Sequence, residues 1–275
     1  MRFLLYKEKI MLLVTSLLLI ALLVTTIYFS MNSDYFDDTS KIAVLTSEEF
    51  NENVEKVSKN NNVSIYSRGD HTNPNTIVKA IEEIYQEYSA FIIIMEKEHI
   101  PIISSYLAFM IENLTKPIIV TQKQHLVGIV KKIRTIAITE VMVARENQLL
   151  RGVTTRFNEK GELVSYKYPE LNHLNSLEFP KEPPNFKYID PKIIIRFDNE
   201  KADANILNIT QIPKEKINDN KLILVLSDKP IDKIPTFDMT REAAYAKLVF
   251  LLSNVKDKNV IKQLLSVNFR GEIIN

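Results

Sequence analysis

The chain has 275 residues, of which 45% are hydrophobic, enough for a sizeable buried core in one or two domains. Its 35 basic and 34 acidic residues nearly cancel, and no basic stripe with interleaved aromatics offers a footprint for nucleic acid. There is no Cys, which excludes disulfides and thiolate metal sites, and the five Gly are so scattered that a phosphate loop or a dinucleotide fingerprint is excluded as well.

Ile10 to Phe29 carries no charge. At about 1.5 Å per residue a helix of that length crosses a hydrocarbon core of roughly 30 Å. Arg2, Lys7 and Lys9 precede it, and Asp34, Asp37 and Asp38 follow it. The positive-inside rule therefore puts residues 1–9 in the cytoplasm, the anchor at 10–29, and residues 31–275 outside. A cleaved signal peptide would want a shorter apolar run and small residues before the cut. Tyr28-Phe29-Ser30-Met31 offers no such site, so the expectation is an uncleaved, single-pass anchor.

Beyond the anchor, Lys41 to Leu45 reads as a first strand and Val63 to Tyr66 as a second. Ile77, Ile81, Ile84, Tyr85 and Tyr88 recur at helical spacing, opposite Lys79, Glu82, Glu83 and Glu87. Phe91 to Met95 is an unbroken apolar run of the kind a parallel sheet buries on both faces. A helix with Pro in its first turn is predicted over Pro101 to Leu114, then a strand over Pro117 to Val120. A short amphipathic helix over Leu126 to Ile133 and a strand over Ala137 to Ala144 follow. This alternation predicts an α/β domain with a mainly parallel sheet over 40–172.

Residues 173–190 contain Pro180, Pro183 and Pro184, show no periodicity, and read as a linker. Residues 191–275 read as a smaller α/β domain. Its strand candidates are Lys192 to Phe197 and Lys221 to Leu226. Thr240 is placed to cap a helix carrying Ala244, Leu248, Leu251 and Leu252 on one face, and a last helix runs from about Asn259 to Ser266.

Two long stretches carry a resemblance. The first lies within 70–172 and includes FIIIMEKEHIPIISSYLAFMIENLTKPIIVTQ and NQLLRGVTTRFNEKGELVSYKYPEL; the second is FDMTREAAYAKLVFLLSNVKDKNVIKQLLSVNFRGEI. Both resemble the bacterial-type L-asparaginase family, the Thr-dependent amidohydrolases. The resemblance implies a two-domain fold with mainly parallel sheets, preceded here by one transmembrane helix. In that family a Thr in a Thr-Gly-Gly-Thr loop after the first strand attacks the amide carbon. A second Thr and an Asp from His-Gly-Thr-Asp-Thr, with a nearby Lys, activate it. Such chemistry needs a hydroxyl beside a tunable base.

Neither loop is present. The first falls on Thr46-Ser47-Glu48-Glu49 or on Ser47-Glu48-Glu49-Phe50, so the nucleophile position is Glu49 or Phe50. The second falls on Met95 to His99, where Lys97 replaces the Thr and Glu98 the Asp. RGVTTRF at 151–157 resembles the family's RGNRTTK with one residue deleted, which puts Arg156 at the catalytic Lys. A guanidinium stays protonated and cannot take up a proton as that Lys must. Asp70, His71 and Thr72 stand where the family grips the substrate's α-amino and carboxylate groups.

With four catalytic positions changed, the expectation is a membrane-anchored asparaginase-like protein without catalysis, serving as a binding or assembly module. The alternative is a surviving amidohydrolase of the L-asparaginase or glutaminase type. A repurposed polar pocket at Glu96, Lys97, Glu98 and His99, with Glu49 and Arg156 near it, is set against a solvated loop of paired charges, since exposed ion pairs are commonly inert. No cofactor is expected. His71, His99, His125 and His173 share no ligand spacing, so no metal is expected either. The resemblance implies a homodimer, and apolar surface left on the helix after Thr240 would support it. Asn62-Val63-Ser64, Asn113-Leu114-Thr115 and Asn208-Ile209-Thr210 match the glycosylation pattern, relevant only in a host that glycosylates exported proteins.

Overall fold

The computed structural model describes residues 41–46, 62–67, 72–134, 138–146, 148–166, 180–197, 202–208, 222–229 and 236–273. The expected anchor at 10–29 lies outside them, and among the described residues no helix is long and apolar enough to cross a membrane.

Strands β1 (Ile42–Thr46), β2 (Val63–Ser67), β3 (Ala90–Ile94), β5 (Ile118–Thr121), β6 (Val141–Arg145) and β7 (Gln148–Arg151) form one sheet. Their order is β2-β1-β3-β5-β6-β7. Every pairing is parallel except β6 with β7. β1 and β3 are buried along their whole length, as expected of central parallel strands covered on both faces.

The connecting helices follow local chemistry. In α1 (Pro74–Ile84) the Asn73 side chain accepts from the Asn75 amide at 3.0 Å, Pro74 opens the helix, and Ile77, Val78 and Ile81 face inward. α2 (Ile100–Met110) is buried almost all round. It ends at Met110, short of the expected Leu114. Ile111–Glu112 turns extended as β4 and pairs antiparallel with β10 (Asn185–Phe186), and Asn113 takes φ 54. The Pro-rich stretch read as a linker thus contributes a strand. α3 (Leu126–Ile133) lies as predicted, whereas β6 starts at Val141 rather than Ala137. β8 (Thr155–Phe157) and β9 (Leu163–Ser165) form a hairpin. Asn158 folds its turn by accepting from the Lys160 and Glu162 amides, and Gly161 supplies φ +71.

The second half holds a parallel sheet in the order β11 (Ile195–Arg196), β12 (Ala204–Asn208), β13 (Ile223–Leu226), β14 (Thr236–Phe237). The strand expected over Lys192 to Phe197 is confined to β11, and β12 and β14 were not foreseen. Thr240 caps α4 (Arg241–Asn254) by accepting from the Ala243 amide at 3.1 Å, and Asp257 caps α5 (Lys258–Leu265).

α4 lies against α2, with Phe109 over Phe250 at 6.2 Å. Ala244, Leu248 and Leu251 are closed off inside the chain, at most 1% exposed. α2 covers these three, while Leu252, the fourth residue of the stripe expected to leave apolar surface for a second copy, is half-buried. One hydrophobic core runs from Leu45, Phe91 and Ile93 through Leu107 to Leu224, Phe237 and Leu248, so both sheets pack on a shared interior.

Candidate functional site

The carboxyl ends of the parallel strands form one rim, where ligands bind in open α/β sheets. β1 reaches it at Thr46 and β5 at Thr121, both fully buried; Thr121 donates to the Ala144 carbonyl at 3.0 Å. β3 reaches it at Ile94. Beyond it the Met95 amide donates to the Thr121 carbonyl at 3.1 Å, and the chain then leaves the sheet through Glu96 and a helical turn at Lys97–His99. Glu96 and Glu98 are exposed, while Lys97 and His99 are half-buried.

The β8–β9 hairpin comes up beside that turn. Lys97 Nζ sits 5.8 Å from the centre of the Phe157 ring, so the fold sets Lys97 next to the strand that carries Arg156. Arg156 is exposed, and its guanidinium lies 4.3 Å over the Tyr166 ring. A stacked guanidinium is held by the ring's negative face, and it offers donors but no acceptor. Among the predicted positions Thr72 is exposed in the turn before α1. Glu49, Phe50, Asp70 and His71 lie outside the described residues.

The second half supplies groups not singled out in the sequence. The Tyr166 hydroxyl donates to Asp238 Oδ1 at 2.6 Å, and Asp238 is nearly buried beside the helix cap Thr240. Glu242, in the first turn of α4, has its carboxyl pushed up by burial, while its own amide, Arg241 and Arg156 pull it down. The Arg241 guanidinium stacks at 3.6 Å on Phe197, which stacks on Tyr245 at 5.8 Å. Tyr245 meets Tyr106 of α2 edge-on at 6.3 Å, and burial raises the Tyr106 phenol well above its usual value.

The arrangement is a rim of cations on aromatic faces, closed by one short phenol–carboxylate bond. The exposed Arg156 guanidinium offers donors to an anion or a planar group. Among the described residues, the catalytic positions the resemblance points to are Lys97, Glu98 and Arg156, none of which carries a hydroxyl. Among the described residues no group of three His, Asp or Glu is placed to hold a metal.

The comparisons agree with this architecture. No family model matches the chain. It is 24% identical over 264 residues to L-asparaginase 1 of Escherichia coli K12, covering 72% of this chain and 78% of that protein. It is 29% identical over 107 residues to the 60 kDa lysophospholipase of Mus musculus, covering 34% of this chain and 19% of that protein. Its fold is shared with the crystal structure of L-asparaginase I from Vibrio cholerae, at TM-score 0.68 and 19% identity over 86% of this chain and 99% of that one. The L-asparaginase from Thermococcus kodakarensis follows at TM-score 0.66 and 18% identity, with the same coverage. The chain has the α/β fold of the L-asparaginases. Over 72% of its length its sequence is similar to an L-asparaginase.

Proposed function

We propose that this chain is a degenerate asparaginase-like protein that has lost amide hydrolysis and serves as a binding or assembly module, held at a membrane by residues 10–29 with residues 31–275 outside the cytoplasm. The observation that carries this reading is Arg156. It stands where the resemblance puts the family's proton-accepting Lys, and its side chain is an exposed guanidinium laid on Tyr166. A guanidinium cannot take a proton from a hydroxyl nucleophile at any pH at which the protein folds. Tyr166 does not replace it, since its hydroxyl is committed to Asp238. Lys97, in place of the second Thr, brings an ammonium where the chemistry needs a hydroxyl. Pairing with a second copy rests on the resemblance, because Ala244, Leu248 and Leu251 of the α4 stripe are covered within the chain and only Leu252 is half-buried.

The test is ammonia release from L-asparagine and L-glutamine by the purified full-length chain in detergent. No turnover above the blank is expected. The similarity to L-asparaginase 1 favours a second reading, a surviving amidohydrolase. Turnover that disappears in Thr46→Ala or Thr72→Ala would establish it and sink the first. A reporter fused after residue 275 tests the topology independently; activity confined to the cytoplasm would overturn it.

A further inference from the structure

At the opposite rim of the large sheet lies a cavity of about 300 Å³ that the asparaginase-like reading does not use. β6 begins there at Val141 and α2 ends there, with the Phe269–Gly271 turn closing one side. Its floor is apolar, from Ala108, Ile111, Leu114, Val153 and Phe269. Two guanidiniums reach it, and they differ in what neutralises them.

Arg151 is fully paired in charge. Its Nε and Nη2 hold Glu140 in a two-pronged bond at 3.0 and 2.9 Å, and the two side chains are only 12% and 18% exposed. Gly271, at φ +76, lets the guanidinium lie flat: a Cβ there would fall 2.0 Å from Arg151 Nη1. Arg270 is different. Its Nε donates to the Ala108 carbonyl at 2.7 Å, one of the carbonyls a helix end leaves without an internal partner. That acceptor is neutral, and among the described residues no carboxylate is ion-paired with Arg270. Glu272 is the nearest in sequence, and its oxygens already take Lys247 and the Phe269 and Arg270 amides. Burial pushes the Arg270 guanidinium down from its ordinary value, against the pull of Glu112, Glu272 and Glu140. An arginine keeps its proton regardless, so this is a partly desolvated cation that feels three carboxylates at a distance and, among the described residues, has none in direct contact with its guanidinium.

We infer that this cavity is a binding site for a small apolar monocarboxylate, its carboxylate on the outer nitrogens of Arg270 and its apolar body on the Ala108–Leu114–Phe269 floor. Size and chemistry agree. By the volume of liquid water the space holds about ten non-hydrogen atoms, at the small end of ligand pockets, which are mostly apolar with few polar anchors. One carboxylate matches one guanidinium that has no ion-pair partner among the described residues, in a planar, two-pronged geometry that Lys could not offer. A dianion would also meet Glu140 in the cavity wall, which sets the preference for a single charge.

The experiment uses the full-length chain in detergent, with empty micelles as blank. Saturation-transfer NMR and titration calorimetry follow benzoate, against neutral benzamide of the same shape and against acetate, which has the charge without the body. Benzoate should bind at least about tenfold tighter than benzamide, the value of one charge-assisted bond, and tighter than acetate through burial of its ring. Arg270→Gln should remove the preference over benzamide. Because it also disturbs the Ala108 carbonyl, Thr139→Phe provides a second route, filling the cavity from another wall and abolishing benzoate binding with Arg270 intact. Equal binding of benzoate and benzamide, benzoate binding that survives both variants, or no binding at millimolar benzoate would each overturn the assignment. None of these outcomes depends on whether the other rim hydrolyses amides.

Discussion

Replacing Glu272 by Gln removes one charge from the most deeply buried ion pair among the described residues. Lys247 Nζ and Glu272 Oε1 are 2.7 Å apart, and both side chains are fully buried. The ammonium also donates to the Leu265 carbonyl at 3.0 Å and the Val267 carbonyl at 2.6 Å, so its three protons have three acceptors. Glu272 returns the favour by accepting from the Phe269 and Arg270 amides at 3.1 and 2.7 Å. In Glu272→Gln the ammonium stays buried without a counter-charge, and the amide nitrogen meets a backbone N–H it cannot accept from. Breaking a buried pair by removing one partner costs about 3–5 kcal/mol. At about 2–4 °C per kcal/mol for a chain of this size, a loss of about 3 kcal/mol lowers Tm by about 6–12 °C. The pH dependence has a definite sign. Burial lowers the Lys247 pKa from its ordinary 10.5, with Glu272 pulling it back up. Between the folded value and 10.5 the unfolded chain binds more protons than the native one, so stability rises with pH across that window. Without the carboxylate the pKa falls further, and the rise should begin at lower pH in the variant than in the parent. Urea unfolding of the full-length chain from pH 7 to 10.5 measures both effects. A cost under about 1 kcal/mol at pH 7, outside the range for a broken buried pair, or a flat alkaline limb in the variant, would refute the reasoning.

Gly152→Ala should cost about 1–3 kcal/mol, because its Cβ would sit 2.8 Å from the Val141 carbonyl and 3.2 Å from Ser104 Cβ. Gly128→Ala on open α3 should be neutral or stabilising by up to about 1 kcal/mol, so equal Tm shifts in the two variants would count against the packing argument. Tyr166→Phe leaves Asp238 without its 2.6 Å donor and should cost about 1–3 kcal/mol by urea midpoint, whereas an unchanged midpoint would mean that water replaces the phenol. Sedimentation of the full-length chain in detergent should show a dimer; a monomer across micromolar concentrations would remove the pairing that the resemblance implies.

Elements set by local pattern were legible in the residues themselves. α1 and α3 follow the spacing of their apolar side chains, β3 its unbroken apolar run, and α4 its Thr240 cap. The rim turn at Lys97–His99 was legible because an apolar strand ends abruptly in charges. What was not legible depends on partners far along the chain. β4 and β10 are two residues each and exist only by pairing across a Pro-rich stretch. β12 carries Asn at positions 205 and 208, which hides a strand made by its neighbours on either side. The Tyr166–Asp238 bond joins residues 72 apart, a pairing no local spacing encodes. Lys247 left a faint mark, a lone cation on the apolar side of REAAYAKLVFLLSN, which could have prompted a search for its acid. Glu272 gave no sign of being that acid, since a carboxylate in a short polar run normally faces water.

α2 belongs to both halves at once. On one side it packs under the large sheet; on the other it lies along α4, and Ser104 ties it to the Gly152 carbonyl at 3.1 Å. Proteins that grip ligands by closing two lobes need a seam of few contacts and a hinge to absorb the rotation. Here the would-be seam is filled by a helix buried almost all round, and interior packing of that kind does not deform continuously. An occupant at either rim would therefore be met by a stiff body. Recognition would rest on shape and charge already in place, and any message passed onward would have to travel through loops rather than through movement of one half against the other.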